Sequence, residues 1–196
     1  YKVLQLLEDS VGGGGGGGGE QPRWILKSPA HLGFVDSLSH GFPGSTLIWT
    51  HRDPTESIGS LCSLFRTCQE TFYAGDVDMK EIGQQCCAFW EAMLRKADMV
   101  FSADEGMSAR TQHVLYRDFI KDPITTVKKI YDGFGWDYSD RYDTSLKDYI
   151  AASKAKRAAQ AQGKVKLHSY SLEEFGLDGE EMRKRLAWYY EKYLGE

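Results

Sequence analysis

The stretch Thr46-Leu-Ile-Trp-Thr-His-Arg-Asp-Pro-Thr-Glu-Ser-Ile-Gly-Ser-Leu-Cys-Ser-Leu-Phe65 decides the fold of this 196-residue chain. Its first half, Thr46 to Thr50, is short, apolar and β-branched, and Pro43-Gly44 stands just before it. Such a run between turn signals reads as a buried strand of a parallel sheet. The second half opens with Asp53-Pro54, an N-cap residue followed by proline at the first helical position. Ile58, Leu61, Leu64 and Phe65 then recur at helical spacing, so that face is expected to meet the core. The unit is strand, tight turn, helix. Arg52 falls at the strand's C-terminal end, where parallel α/β sheets take their ligands. Ser60 lies about two turns into the helix. Free N–H groups, the positive end of a helix dipole and a planar guanidinium together suit an anion. The same residues also fit a capped helix with Arg52 in a surface ion pair.

Outward from this unit the pattern repeats. Upstream, Trp24-Ile-Leu26 is a second strand candidate, followed by Lys27-Ser-Pro-Ala-His31 and a helix through Leu32, Val35 and Leu38, with Ser28 as cap and Pro29 at its first position. Downstream, Gln112-His-Val-Leu-Tyr116 is a third strand. Asp122-Pro123 opens a helix through Val127, Ile130, Tyr131 and Phe134, ended by Gly133-Phe-Gly135. This alternation predicts a parallel sheet flanked by helices, with right-handed crossovers. Between the second and third units, Pro54 to Thr71 and Met79 to Ser102 read as helices. The longer one has Ile82, Cys86, Phe89, Trp90, Met93, Ala97 and Val100 on its core face.

Toward the ends the signals change. Tyr1 to Glu8 reads as the end of a helix, and Gly12 to Gly19 as a flexible loop. Asp140 to Gln162 is polar and helix-prone, and its basic run Lys154-Ala-Lys156-Arg157 suits a solvated face. A loop with Lys164, Lys166 and His168 follows, then the capping box Ser171-Leu-Glu-Glu174 and a last helix from Glu180 to Leu194. The expected organisation is one domain over residues 1–196, a fragment of a longer enzyme.

Composition narrows the function. A net charge of −4 argues against a general nucleic-acid binder. The four cysteines form no CxxC pair, so reduced, buried thiols are expected rather than zinc ligands. No run approaches the roughly 20 apolar residues of a membrane span, and no signal peptide is visible. A cytoplasmic location is favoured, with the Golgi lumen open if an anchor lies upstream of Tyr1. Neither acceptor identity nor oligomeric state follows from the sequence.

Read in order, Trp24-Ile-Leu-Lys-Ser-Pro-Ala-His31, Phe42-Pro43, Thr50-His-Arg-Asp-Pro-Thr-Glu-Ser-Ile-Gly-Ser60, Leu115-Tyr-Arg-Asp118 with Asp122-Pro123, and His168-Ser-Tyr-Ser-Leu-Glu-Glu-Phe-Gly-Leu177 resemble the sulfotransferases. The nearest part of that broad family lies near the tyrosylprotein and bacterial-type enzymes. The resemblance implies a fold related to the P-loop kinases and a donor, 3′-phosphoadenosine 5′-phosphosulfate (PAPS). It assigns Arg52 and Ser60 to the donor's 3′-phosphate and Tyr116 to its adenine. A basic late loop in the family also reaches that phosphate, and Lys164, Lys166 and His168 are the candidates here. The family's glycine- and serine-containing loop for the 5′-phosphosulfate has no counterpart in the sequence. The glycine run carries no Lys, Arg, Ser or Thr and cannot replace it. A missing first strand, loop and helix is therefore expected.

Sulfuryl transfer needs a proton removed from the acceptor oxygen and charge neutralised on the leaving phosphate, which is mostly positioning and electrostatics. Histidine suits the first task. His31 is the candidate base and Lys27 a candidate to face an anion, while His40, His51 and His113 read as structural. No metal-ligand spacing is visible. The expected activity is sulfuryl transfer from PAPS to a hydroxyl-bearing acceptor. A non-catalytic nucleotide-binding module, or an inactive fragment of such an enzyme, is the alternative. A kinase would need a Walker loop, which is absent.

Overall fold

The computed structural model describes residues 24–72, 74–162 and 170–196. The readings at Tyr1–Glu8, Gly12–Gly19, Lys164, Lys166 and His168 lie outside them. Two strands, β1 (Leu47–His51) and β2 (Thr111–Leu115), pair in parallel, with Trp49 opposite His113 and His51 opposite Leu115. Among the described residues the chain between them forms three helices: α2 (Pro54–Phe72), α3 (Met79–Ala103) and α4 (Glu105–Ala109). Ahead of β1, a 3-10 turn (Pro29–Phe34) runs into α1 (Val35–Gly41). After β2 come α5 (Tyr116–Lys121), α6 (Pro123–Gly133) and the long polar α7 (Asp140–Gln162). The C-terminal part holds a 3-10 turn (Glu173–Phe175), α8 (Gly179–Arg185), and α9 (Ala187–Tyr189), which widens into a π turn (Tyr190–Leu194). The single last helix expected over Glu180–Leu194 is thus broken at Leu186.

Local capping chemistry sets most of the helix starts. Ser28 accepts the N–H of Ala30, Asp53 that of Thr55, Asp78 those of Lys80 and Glu81, and Asp122 that of Thr125. Each bond satisfies a donor that the first turn leaves free. Ser171 and Glu174 form the reciprocal capping box.

The core lies between one face of the sheet, α2, α3 and the C-terminal segment. Trp49, Ile58, Cys62, Ile82, Cys86, Leu94, Ala97, Phe101, Phe175, Leu186 and Tyr189 are all buried in it. Gly83 lets the Phe175 backbone approach α3: a Cβ there would lie 2.1 Å from the Phe175 carbonyl oxygen. All four cysteines are free; Cys62, Cys86 and Cys87 are buried and Cys68 is exposed. No helix among the described residues is long and apolar enough to cross a membrane.

Two expectations are corrected. Trp24–Leu26 is not a strand: residues 24–28 take neither helix nor strand conformation, and Ile25 is 85% exposed. A strand exists through its ladder partner, and among the described residues β1 pairs only with β2. Lys27 therefore does not emerge from a sheet edge. The face of α2 is also rotated from the one expected. Ile58 and Cys62 are fully buried, whereas Leu64 and Phe65 are exposed, as is Phe89 on α3. Gly59 turns inward on α2, where a Cβ would lie 2.9 Å from the Tyr170 ring.

Candidate functional site

Arg52 follows the last residue of β1, and Tyr116 follows the last residue of β2. Because His51 and Leu115 are partners in a parallel ladder, the two chains leave the sheet side by side. The Arg52 guanidinium lies over the Tyr116 ring, 4.9 Å from its centroid. A cation held against a ring face is attracted by the ring quadrupole. Arg52 also donates from Nε to Glu56, 2.9 Å away, in an exposed pair one helical turn along α2. This is the surface ion pair that the sequence allowed. Ser60 is exposed and lies one further turn along. Residues four apart share a helix face, so Arg52, Glu56 and Ser60 form one stripe from the strand end along α2. Tyr116 opens α5 rather than ending a strand, and it is half-buried.

Asp53 fixes the turn between β1 and α2. Its carboxylate accepts the Thr55 N–H at 2.8 Å, the Thr55 hydroxyl at 2.6 Å, the Tyr190 hydroxyl at 2.5 Å and Arg183 Nη2 at 2.6 Å. Burial alone would raise its pKa, but the hydrogen bonds from Thr55 and Tyr190 and the charge of Arg183 outweigh it and hold it below the usual carboxylate value. Its backbone carbonyl also accepts the N–H and hydroxyl of Ser57.

On the other side of Arg52, His51 is buried. Its Nδ1 is 2.8 Å from the Tyr189 hydroxyl, and its Nε2 is 2.7 Å from His113 Nδ1. Burial, aided by His113, pushes the His51 pKa down to about 3, so the ring is neutral near pH 7. Burial and the nearby Lys192 also lower His113. Both rings, with Leu115, Lys192 and Tyr193, line an open cavity of about 280 Å³. Lys192 is already engaged by Asp98 and Ser102. The sequence alone gives His51 and His113 a structural role. Their meeting was nevertheless encoded, since Trp49 and His51 alternate onto one face of β1 and their ladder partners are His113 and Leu115.

Lys27 and His31 stand elsewhere. Lys27 is exposed in the segment before the 3-10 turn; half-buried His31 sits in that turn, its N–H bonded to the Ser28 carbonyl. That turn packs on α3, with Gly33 close to Met93. No hydrogen bond or ion pair among the described residues joins Lys27 or His31 to Arg52, Ser60 or Tyr116. No group of three or more His, Cys, Asp or Glu among these residues could hold a metal ion.

Residues 16–140 match the sequence profile of the Sulfotransferase family. The chain belongs to the sulfotransferase family. The solved sulfotransferase STF1 from Mycobacterium tuberculosis is 30% identical and superposes with a TM-score of 0.63 over 86% of this chain and 40% of its own. The sulfotransferase STF9 from Mycobacterium avium is 24% identical and shares the fold, with a TM-score of 0.73 over 88% of this chain and 42% of its own. This sulfotransferase chain spans about two fifths of the length of the solved structures it matches. Comparison with curated proteins returned no match. The fold is a helix-rich, P-loop-like α/β arrangement with a small parallel sheet. The profile covers Lys27, His31, Arg52, Ser60 and Tyr116; Arg183 and Tyr190, which bond the Asp53 carboxylate, lie beyond it.

Proposed function

We propose that this chain is the donor-binding part of an enzyme that transfers a sulfuryl group from PAPS to a hydroxyl-bearing acceptor. Arg52 and Ser60 hold the 3′-phosphate and Tyr116 lies against the adenine. The observation that carries this reading is the placement of Arg52 over Tyr116 at the shared C-terminal edge of two paired parallel strands, at the start of α2. The residues fit the ligand. Among the described residues Arg52 hydrogen-bonds through Nε alone, to Glu56, which leaves its two-pronged end for a pair of phosphate oxygens. Tyr116 offers a ring face to a planar base, and Ser60 a hydroxyl on the same stripe.

In this reading the acceptor oxygen forms a bond to sulfur as the bond from sulfur to the donor's phosphate breaks, and adenosine 3′,5′-bisphosphate leaves. His31 is the candidate to take the acceptor proton, and Lys27 the candidate to face the leaving phosphate. Lys164, Lys166 and His168 are the further candidates for the 3′-phosphate. The assignments of Lys164, Lys166 and His168 rest on the family resemblance, and those of His31 and Lys27 on the chemistry of their residue types.

The test is calorimetry with adenosine 3′,5′-bisphosphate and adenosine 5′-phosphate. The bisphosphate should bind more tightly, and Arg52→Ala should weaken it roughly ten- to a hundredfold, from a charged hydrogen-bonded contact of about 1.5–3 kcal/mol. Adenosine 5′-phosphate should be little affected. Equal losses for both ligands would assign Arg52 to the fold rather than to the phosphate. Sulfate transfer to a hydroxyl acceptor then separates an enzyme from a nucleotide-binding module.

A further inference from the structure

The residues on either side of Arg52 are both gripped by one segment far away in sequence. Tyr189 meets His51, and the next residue, Tyr190, donates to Asp53. Arg183, from α8, reaches the other oxygen of the same carboxylate, and its guanidinium lies 4.8 Å from the centre of the Tyr190 ring. The pattern repeats at the second strand. Arg117, the residue after Tyr116, donates to the Leu194 carbonyl at 2.9 Å and to the Glu196 carboxylate at 2.8 Å. Residues 183–196 thus hold the sequence neighbours of both Arg52 and Tyr116, while the Arg52 and Tyr116 side chains engage each other and Glu56.

Arg52 needs such a brace. Residues 52 and 53 fall between β1 and α2 and belong to neither the strand nor the helix. An arginine side chain has many rotamers, and ordering it opposes binding. Fixing the backbone at both neighbours removes part of that disorder before a ligand arrives. A carboxylate with four donors, two of them from a distant segment, does this at Asp53. We infer that Arg183 and Tyr190 are positioning residues for the Arg52 anion site, acting through Asp53. The inference rests on the reading of Arg52 as a 3′-phosphate contact.

The experiment uses the whole protein in wild-type form and as Tyr190→Phe, Arg183→Gln and the double variant, with Arg52→Ala for reference. Affinities for adenosine 3′,5′-bisphosphate and adenosine 5′-phosphate are measured by calorimetry below the melting range of each. The double variant should weaken the bisphosphate roughly five- to tenfold and leave the 5′-phosphate within about twofold. Arg183→Lys should recover part of the loss, because an ammonium keeps the charge without the fork. In an Arg52→Ala background the same two changes should have no further effect on the bisphosphate, since the group they position is gone. Tyr190→Phe removes one oxygen and keeps the ring, so it carries the test if the double variant does not fold. An unchanged preference for the bisphosphate, or equal losses for both nucleotides, overturns the positioning role. A wild-type protein with no preference for the bisphosphate overturns the phosphate reading itself, and shows it before any variant is made.

Discussion

Two segments of this chain are written in nearly the same way. Trp24-Ile-Leu-Lys-Ser-Pro and Ile48-Trp-Thr-His-Arg-Asp-Pro54 each set apolar residues before a basic residue, a capping side chain and a proline. In both, the cap works: Ser28 takes the Ala30 N–H and Asp53 takes the Thr55 N–H. Only the second segment becomes a strand. It has β2 beside it and Trp49 packed among Phe101, His113 and Tyr193, whereas residues 24–27 are exposed and take neither helix nor strand conformation. Capping is settled within three residues. A strand is settled by a partner far away in sequence, so equal local signals give unequal structures.

The difference can be pushed hardest at the apolar residues. Trp49→Ala should destabilise the fold by about 3–5 kcal/mol, as expected for a large aromatic removed from a core. Ile25→Ala should stay within about 0.5 kcal/mol, as for an exposed position. Denaturant melts of both variants test this, and a large loss at Ile25 would show that the first segment is packed after all.

Acid probes the second segment and its β2 neighbour, since burial lowers His113 as well as His51. An unfolded histidine titrates near 6.5 but buried His51 only near 3. Between those values the unfolded state binds more protons, so stability is fully present above about pH 6.5 and falls as the pH drops toward 3. The loss by pH 4 should be on the order of 3 kcal/mol. Melts between pH 7 and 4.5 read the slope before most carboxylates titrate, and a flat profile there would mean that His51 is not held neutral.

The smallest contrast is between the two caps. Asp53→Ala removes an N-cap and the carboxylate bonded by Tyr190 and Arg183 Nη2, and should cost about 2–3 kcal/mol after allowance for the half-exposed arginine. Ser28→Ala removes only a cap bond and should cost about 0.5–1 kcal/mol. Equal melting shifts for the two would mean that the distant partners of Asp53 contribute nothing.

These contrasts also explain what the sequence could show. The caps at Asp53, Asp122 and Ser171 were legible because each is complete within a few residues. The placement of Arg52 beside Tyr116 followed from strand parity and parallel pairing. Glu56 on Arg52 was available from its four-residue spacing. By contrast, the contacts of His51 with Tyr189 and of Asp53 with Arg183 and Tyr190 join positions with no shared local pattern. The exposure of Leu64, Phe65 and Phe89 depends on which neighbours the helices meet, and helical period alone does not rank one apolar face over another.

The grip of residues 183–196 on the first strand also bears on how the molecule assembles. The His51–His113 contact closes a loop of 62 residues, and the His51–Tyr189 contact one of 138. Loop entropy grows only with the logarithm of length, so the second closure is worth merely about 0.7 kcal/mol more than the first. The penalty is in time rather than in free energy, because distant contacts slow folding. Strand pairing and the α2–α3 hairpin, which close shorter loops, are expected to form before the C-terminal segment docks on the strand edge. On that order the turn that carries Arg52 is expected to become rigid late and to loosen early, which amide hydrogen exchange at residues 52 and 53 would read.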